Sequence, residues 1–400
     1  MKHILIVHIR RHTGYFLGCV LLVTFCSSWI MVNHIFIRSV VQLQKLQNGS
    51  QGQQNSFLVK DRIAEELHGY AQNERASNRM KLILLWSSMF SGLEFLKTGR
   101  NSFNHSSCLE KKCEITSDRR RLMESDAVMF HLRTVSMTDI PRSRSSRQKW
   151  IFFSLEAPPY SHFHGFAFMK DMFNWTMTYR SDSDIVLPYG RVIRNDRNTS
   201  RLDNLRSLWK QKRKMATWMV SHCDTDSNRE DYIKEMEKVM EVATFGECGV
   251  AVCPVNKTEE CLNNFSKKFF FYLAFENAIC NDYVTEKFFR ALKYDMIPVV
   301  FGGGKYSKIS PPGSYIDAME FSSPKELSIY LYKVAENFTL YAQYFKWKLD
   351  GYGTYDVPDP CMLCEKLHSN SFHLYSVYPD IQKWWVAESH CRQWENNPTS

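Results

Sequence analysis

Four hundred residues, 44% apolar and 14% aromatic, hold enough core-forming side chain for a tail and two domains of ordinary size, and exclude a disordered chain. A net charge of +9 is compatible with nucleic-acid binding, yet the basic residues are dispersed. Their local excesses at 119–121, 142–149 and 210–214 read as solvated loops or as attraction to an anionic ligand.

At the N-terminus, Lys2, Arg10 and Arg11 precede an uncharged, mostly apolar run at 14–32, long enough to cross a bilayer as a helix. Those charges predict a cytosolic tail at 1–13 and a transmembrane signal anchor at 14–32. The small residues Cys26, Ser27 and Ser28 offer a cleaved signal peptide as the competing reading, but the apolar character continues through 37, which favours the anchor. Either way the rest of the chain enters the secretory lumen. Residues 42–55, rich in glutamine, cannot form a core and suit a stem spanning 33–79. Sequons at Asn48, Asn104, Asn174, Asn198, Asn256, Asn264 and Asn337 agree with a lumenal body, although Asn174 sits in a segment that encloses it.

Short apolar runs at 81–86, 127–132, 150–155 and 185–187 predict strands of a first domain, separated by loops rich in Ser and Arg. A linker at 195–211 then leads to a second domain. There 215–220 reads as a strand and 229–242 as a helix with Ile233, Met236, Val239 and Met240 on one face. Ser323 is placed to cap a helix begun by Pro324, and the aromatic segment 378–394 has a helical pattern suited to packing back across the domains. Cys361 and Cys364 form a Cys-x-x-Cys, a zinc half-site or redox motif in other contexts. No second such pair or suitably spaced histidines complete a zinc site, and a thioredoxin context is missing, so disulfides are expected.

The most informative stretch is 267–304. Its aromatic run 269–275 suits a strand buried on both faces, and 297–301 repeats that signature after a helix. Thr285 caps this helix, Phe288, Phe289 and Leu292 form its apolar face, and Asp295 with Pro298 closes it. Strand, polar loop, helix, strand and the glycines 302–304 make half of a nucleotide-binding α/β domain. In such folds a helix N-terminus beyond the strand ends offers N–H groups to a phosphate. Lys287 adds a mobile positive charge there, whereas Glu286 would repel a diphosphate and instead suits sugar hydroxyls. On these residues alone, a capped helix with Glu286 merely offsetting the dipole stays open.

The series Phe275-Glu276-Asn277, then Asp282-Tyr283-Val284-Thr285-Glu286-Lys287-Phe288-Phe289, then Pro298-Val299-Val300-Phe301-Gly302 resembles the donor-binding signature of the α1,3/4-fucosyltransferase family, which uses GDP-fucose. Residues 150–158 are similar to the family segment that carries its catalytic glutamate, 173–188 to the stretch that follows, and Cys361 to Cys364 to its terminal cysteine pair. The matches run in family order over about residues 80 to 370. The resemblance implies an α/β protein of the GT-B class, two Rossmann-like domains facing across a cleft, preceded by an N-terminal transmembrane helix and stem. The acceptor-side domain would be 80–205, the GDP-fucose-binding domain 206–365, and 366–400 a C-terminal segment packing back on the first.

It implies further a single-pass type II protein of the Golgi membrane that moves L-fucose from GDP-β-L-fucose to a GlcNAc hydroxyl in α1,3 linkage, with inversion. Glu156 matches the proposed general base; without the match it reads as an exposed loop glutamate. Arg229 matches the phosphate-binding arginine, and Lys287 is the second cation for the diphosphate. Glu286 resembles the ribose-binding carboxylate, and Tyr272, Asn277 and Tyr283 match further donor-site positions, although Tyr272 equally suits the core. After Val220 and Ser221 the family commonly has Asn where this chain has His222, which still makes one hydrogen bond. The resemblance also ties Cys108 and Cys113 to Cys361 and Cys364, leaving Cys223, Cys248, Cys253, Cys261, Cys280 and Cys391 unassigned.

Asp182-Ser183-Asp184 has the spacing by which another glycosyltransferase class holds a divalent cation on the diphosphate. It lies in the acceptor-side half, so Tyr179, Arg180, Asp182 and Asp184 are expected to be structural or acceptor-facing. No metal or other cofactor is then required for chemistry, and a divalent cation such as manganese is at most stimulatory. Expected partners are GDP-fucose, a GlcNAc-containing glycan and one membrane, without nucleic acid. A GT-B transferase for another nucleotide sugar and a membrane-anchored lectin-like module are the alternatives. The lectin has no need for Glu156, Arg229 and Lys287 together.

Overall fold

The computed structural model describes residues 79–396 apart from 89–93, 105–107, 162, 164, 195–201, 250–252 and 357–359. The expected cytosolic tail, anchor and nearly all of the stem, with Asn48 and Asn198, lie outside the described residues. Among those described, no helix is long and apolar enough to cross a membrane.

Strands β1 (Lys81–Leu85), β2 (Cys113–Thr116), β3 (Ala127–His131), β4 (Lys149–Ser154), β5 (Trp175–Thr178) and β6 (Ile185–Val186) form a parallel 6-stranded sheet in the order β2-β1-β3-β4-β5-β6. After β7 (Gly190–Arg194) come β8 (Lys214–Met219), β9 (Val242–Phe245), β10 (Phe269–Phe275), β11 (Ile297–Phe301) and β12 (Ile316–Asp317). These five make a second parallel sheet, ordered β12-β11-β10-β8-β9, and β7 pairs antiparallel with β13 (Tyr352–Asp356). A GT-B-like α/β architecture is therefore present.

Parallel strands need cover on both faces, which is why β1, β3, β4 and β11 are buried along their whole length. In the second sheet Phe271, Leu273 and Phe275 pack with Ile233 and Met236 of the helix Arg229–Glu237 and Leu327 and Leu331 of the helix Pro324–Glu336. Tyr272 and Ala274 lie on the opposite face with Phe288 and Phe289 of the helix Glu286–Lys293. The first sheet is covered on one side by Leu363 and Leu367 of the helix Cys361–His368 and on the other by Trp384 and Trp385.

Three sequence expectations are corrected. The supposed linker contains the helix Leu202–Gln211, held because Leu205 is buried and Trp209 Nε1 donates to the Ala335 carbonyl at 2.9 Å. The helix begun at Arg229 stops at Glu237, so that the chain can enter β9 at Val242. Within 378–394 only Ile381–Trp385 is α-helical; the remainder is a short turn and extended chain tied to both sheets.

Five disulfides join Cys108 to Cys361, Cys113 to Cys364, Cys223 to Cys248, Cys253 to Cys261 and Cys280 to Cys391. The first two span 253 and 251 residues, for which the chain-entropy estimate is about 5 kcal/mol each. His368 stands beside Cys113 and Cys364, but sulfurs bonded to each other offer no thiolate to a metal.

Candidate active site

In both sheets the second strand of the unit lies beside the first, and the third on the first strand's other side. The chain direction across the sheet therefore reverses between β1 and β3 and between β8 and β10. Crevices open beyond the carboxyl ends of strands at such reversals. The loop after β8 carries Ser221 and His222 and leads into the helix begun by Arg229, and the loop after β10 carries Glu276, Asn277 and Tyr283, so the second crevice collects the expected donor residues apart from Tyr272.

Glu276 directly follows the apolar strand β10 and is fully buried. Its carboxylate accepts from the Thr285 N–H at 2.7 Å, from the Thr285 hydroxyl at 2.8 Å and from Lys287 Nζ at 3.2 Å. Thr285 Oγ1 also accepts from Lys287 Nζ at 2.8 Å, so one N-cap residue joins strand end, helix start and cation. Burial pulls the Lys287 ammonium down, but the charges of Glu276 and of Glu286, 3.5 Å away, outweigh it and hold the ammonium above its ordinary value. Burial raises Glu276, and Lys287 only partly offsets it. Glu286 is pushed up by burial as well, yet Lys287 and Arg290 bring it below the usual carboxylate range. A charged ammonium thus stands between two acidic groups of unequal acidity. Sequence reading missed Glu276, although a carboxylate placed immediately after a seven-residue apolar strand was its signal.

Arg229 is only 2% exposed. Its guanidinium donates to the Phe275 carbonyl at 2.7 Å and the His222 carbonyl at 3.0 Å, and pairs with Glu230 at 3.0 Å. It lies beneath the crevice as a strut between β8 and β10, and its charge reaches Lys287. Ser221 and His222 are exposed above it. Tyr272 is a core residue, buried among Phe265, Phe288 and Leu292, with its hydroxyl pushed up to about 12 by burial.

From the first sheet, Glu156 emerges two residues past β4, its side chain 37% exposed and 3.7 Å from the Arg133 guanidinium. Tyr189 donates its hydroxyl to the Leu155 carbonyl at 2.6 Å, and its ring stands 6.4 Å from that of Tyr283, which in turn lies 4.9 Å from Tyr179. Burial raises the Tyr189 and Tyr283 hydroxyls well above their ordinary value, and the charges of Glu156, Glu276 and Glu286 raise both further. Tyr189, bonded to the carbonyl of the residue before Glu156, thus stands against Tyr283 on the loop that runs from Glu276 to Glu286. Tyr160 completes the junction by donating to the Asn277 carbonyl at 3.2 Å and accepting from the Asp226 N–H at 2.9 Å.

Asp182 and Asp184 are held by partners in the first half of the chain and the C-terminal segment. Asp182 binds Arg180 through two hydrogen bonds and accepts from Trp384 Nε1 at 3.1 Å, while Asp184 accepts from the Thr176 N–H at 3.0 Å and the Tyr378 hydroxyl at 2.9 Å. Both carboxylates fasten the C-terminal segment to the first sheet. Among the described residues, three buried side-chain polar atoms lack a partner: the Tyr179 hydroxyl, Asn277 Oδ1 and the Tyr306 hydroxyl. Two of these belong to residues expected at the site.

Residues 209–384 match the family described as glycosyltransferase family 10 (fucosyltransferase), C-terminal part, and residues 78–190 match the fucosyltransferase N-terminal family. The chain belongs to the glycosyltransferase family 10 fucosyltransferases. It is 35% identical over 359 residues to alpha-(1,3)-fucosyltransferase C of Drosophila melanogaster, covering 83% of this chain and 84% of that protein. It is 32% identical to 4-galactosyl-N-acetylglucosaminide 3-alpha-L-fucosyltransferase 9 of Bos taurus, covering 76% and 81%. A crystal structure of an alpha1,3-fucosyltransferase with GDP-fucose superposes at TM-score 0.50 with 15% identity, over 75% of this chain and 92% of that one, and speaks for the fold. Membership in this family makes the chain a glycosyltransferase enzyme.

Proposed function

We propose that this fucosyltransferase moves L-fucose from GDP-β-L-fucose to a GlcNAc hydroxyl of a glycan, forming an α1,3 linkage with inversion at the anomeric carbon. The observation that carries the reading is the Lys287 ammonium held between Glu276 and Glu286 in the second sheet's crevice, whose loop meets the first sheet's Glu156 loop through the Tyr189–Tyr283 contact. The names of the relatives, which are alpha-1,3-fucosyltransferases, and the GDP-fucose in the structural neighbour support the donor and the linkage.

In this mechanism Glu156 takes the proton of the acceptor hydroxyl as its oxygen attacks the fucose anomeric carbon, and the bond from that carbon to the diphosphate oxygen breaks on the opposite face. One inverting displacement needs one base. Negative charge develops on the departing GDP; Lys287, kept charged by its acidic neighbours, is the cation that meets it, and Arg229 adds positive potential. Glu286 binds sugar hydroxyls of the donor, while Asn277 and Tyr283 line the same loop. The acceptor approaches along the Glu156 loop, where Pro158, Phe163 and Phe166 line a groove of about 630 Å³ closed by His390 on its other wall. The reaction needs no metal. The body is lumenal in the Golgi, anchored through 14–32 as a type II protein.

Incubating the purified protein with labelled GDP-fucose, GDP-mannose and UDP sugars, plus GlcNAc-terminated and N-acetyllactosamine acceptors, tests this. Transfer from GDP-fucose alone is expected; transfer of mannose, or from a UDP sugar, would sink the donor assignment.

A further inference from the structure

The crevice is built from loops of the second sheet, yet residues near the end of the chain hold those loops. Cys391 is bonded to Cys280, in the middle of the loop between Asn277 and Tyr283. On either side of that bond, the Asn281 N–H donates to the Ser389 carbonyl at 2.9 Å and the Arg392 N–H to the Ile279 carbonyl at 3.0 Å. Three residues later the Trp394 N–H donates to the Ser227 carbonyl at 3.1 Å, and Asn228 Nδ2 donates to the Trp394 carbonyl at 2.9 Å. The Trp394 ring lies 5.0 Å from that of Tyr232.

Ser227 and Asn228 immediately precede Arg229, and Ser227 itself bonds the Asn277 carbonyl through its N–H at 3.1 Å. Asn228 has φ 55°, a left-handed turn that needs outside support in a residue other than glycine. Cys280 also packs so closely on the third loop that a Cβ on Gly303 would stand 2.3 Å from its carbonyl oxygen. Upstream, Trp385 Nε1 donates to Ser161 Oγ at 2.9 Å, five residues past Glu156. The chain end thus touches every loop that supplies a residue to the proposed reaction.

We infer that residues Ser389 to Trp394, through the Cys280–Cys391 bond and the Trp394 backbone, are a positioning clasp that sets the donor-binding geometry of the loops carrying Arg229, Asn277 and Tyr283. The inference rests on the reading of those loops as the GDP-fucose site. The clasp residues touch no reacting atom. They act through the loops, by removing the conformations those loops would otherwise lose on binding a ligand.

The test uses the full-length chain. The double variant Cys280→Ser/Cys391→Ser is expected to raise the KM for GDP-fucose and the Kd for GDP about tenfold, with kcat at saturating donor and acceptor within about twofold of the parent, as expected when pre-organisation is lost. Cys253→Ser/Cys261→Ser, which opens a bond of separation 8 in another loop, serves as control and is expected to lower Tm without moving either constant. If the Cys280/Cys391 variant lowered Tm and left the GDP-fucose KM unchanged, the clasp would be a stability element only and the inference overturned. Should that variant fail to fold, Asn228→Gly decides: glycine adopts the left-handed turn without strain, so the turn is kept while the side-chain bond to Trp394 is lost. A GDP-fucose KM raised about threefold supports the clasp, and an unchanged KM overturns it. Failure of the parent chain to use GDP-fucose would instead overturn the underlying functional reading, before any variant is made.

Discussion

Glu156 and His131 illustrate how single groups acquire roles from their surroundings. Glu156 is partly exposed two residues past β4, beside the Arg133 guanidinium at 3.7 Å, and Glu156→Gln removes the proposed base while preserving shape. We expect kcat to fall by about 10² to 10⁴, the range for losing a general base, with the Kd for GDP unchanged in calorimetry. A variant with more than half the parental kcat would remove Glu156 from the mechanism. His131, by contrast, is buried at the end of β3, and burial pushes its imidazole down to about 4 from the ordinary value of 6.5. Between those values the unfolded chain binds more protons than the folded one, so stability falls as pH drops through that window. The integrated loss is on the order of 2 to 3 kcal/mol. His131→Gln is expected to shrink the difference between urea midpoints at pH 7.5 and pH 4.5 accordingly; an unaltered difference would place the acid sensitivity elsewhere.

Two helices of the second sheet carry side-chain caps of the same kind, which allows cap and site to be separated. Ser323 accepts from the Glu326 N–H at 3.2 Å and serves the helix Pro324–Glu336 alone. Thr285 caps Glu286–Lys293 and also bonds Glu276 and the Lys287 ammonium. Ser323→Ala should cost about 1 kcal/mol of stability, the usual value of an N-cap, and Thr285→Ala more, on the order of 2 to 3 kcal/mol, because it also strips a donor from buried Glu276. Only Thr285→Ala is expected to raise the GDP-fucose KM, severalfold, in steady-state assays, because it alone loosens Lys287. Equal KM values for the two variants would show that the relay from Glu276 through Thr285 to Lys287 has no part in donor binding.

Across the whole molecule, the fate of the Asp182 and Asp184 carboxylates bears on the metal question. Both are engaged by the first sheet and the C-terminal segment, so the spacing that holds a cation in other transferases here serves packing. Chelator-treated enzyme is therefore expected to keep at least about half its rate, since no step of the proposed mechanism draws on a bound cation's charge. Complete loss that added salt does not restore would reverse this assignment. Asn174 is 3% exposed, its side chain bonded to the Trp150 N–H at 2.9 Å and the Ser376 carbonyl at 2.7 Å. Glycopeptide mapping should find it unmodified, while Asn104, Asn256, Asn264 and Asn337 are exposed.

The strands at 269–275 and 297–301, the helix capped by Thr285 and the nucleotide character of the loop between them were legible in the sequence, because aromatic runs, capping hydroxyls and a cation at a helix start are local signals. The strands β2, β5, β7, β9, β12 and β13 were not, since they carry polar residues or glycine in place of an unbroken aliphatic or aromatic run and form only against a distant partner, as β7 does with β13 over about 160 residues. Arg229 was found from its motif, but only packing placed it beneath the crevice with its donors turned to the backbone of two loops. Sequence by itself determined the chemistry available: one glutamate ahead of a proline pair, a lysine at a helix start, ten cysteines beyond residue 100. Tertiary structure decided which of these meet. Glu156 and Lys287 lie on different sheets, and the chain end that ties their loops together does so through hydrogen bonds and a disulfide between residues more than a hundred positions apart, contacts that no local pattern encodes.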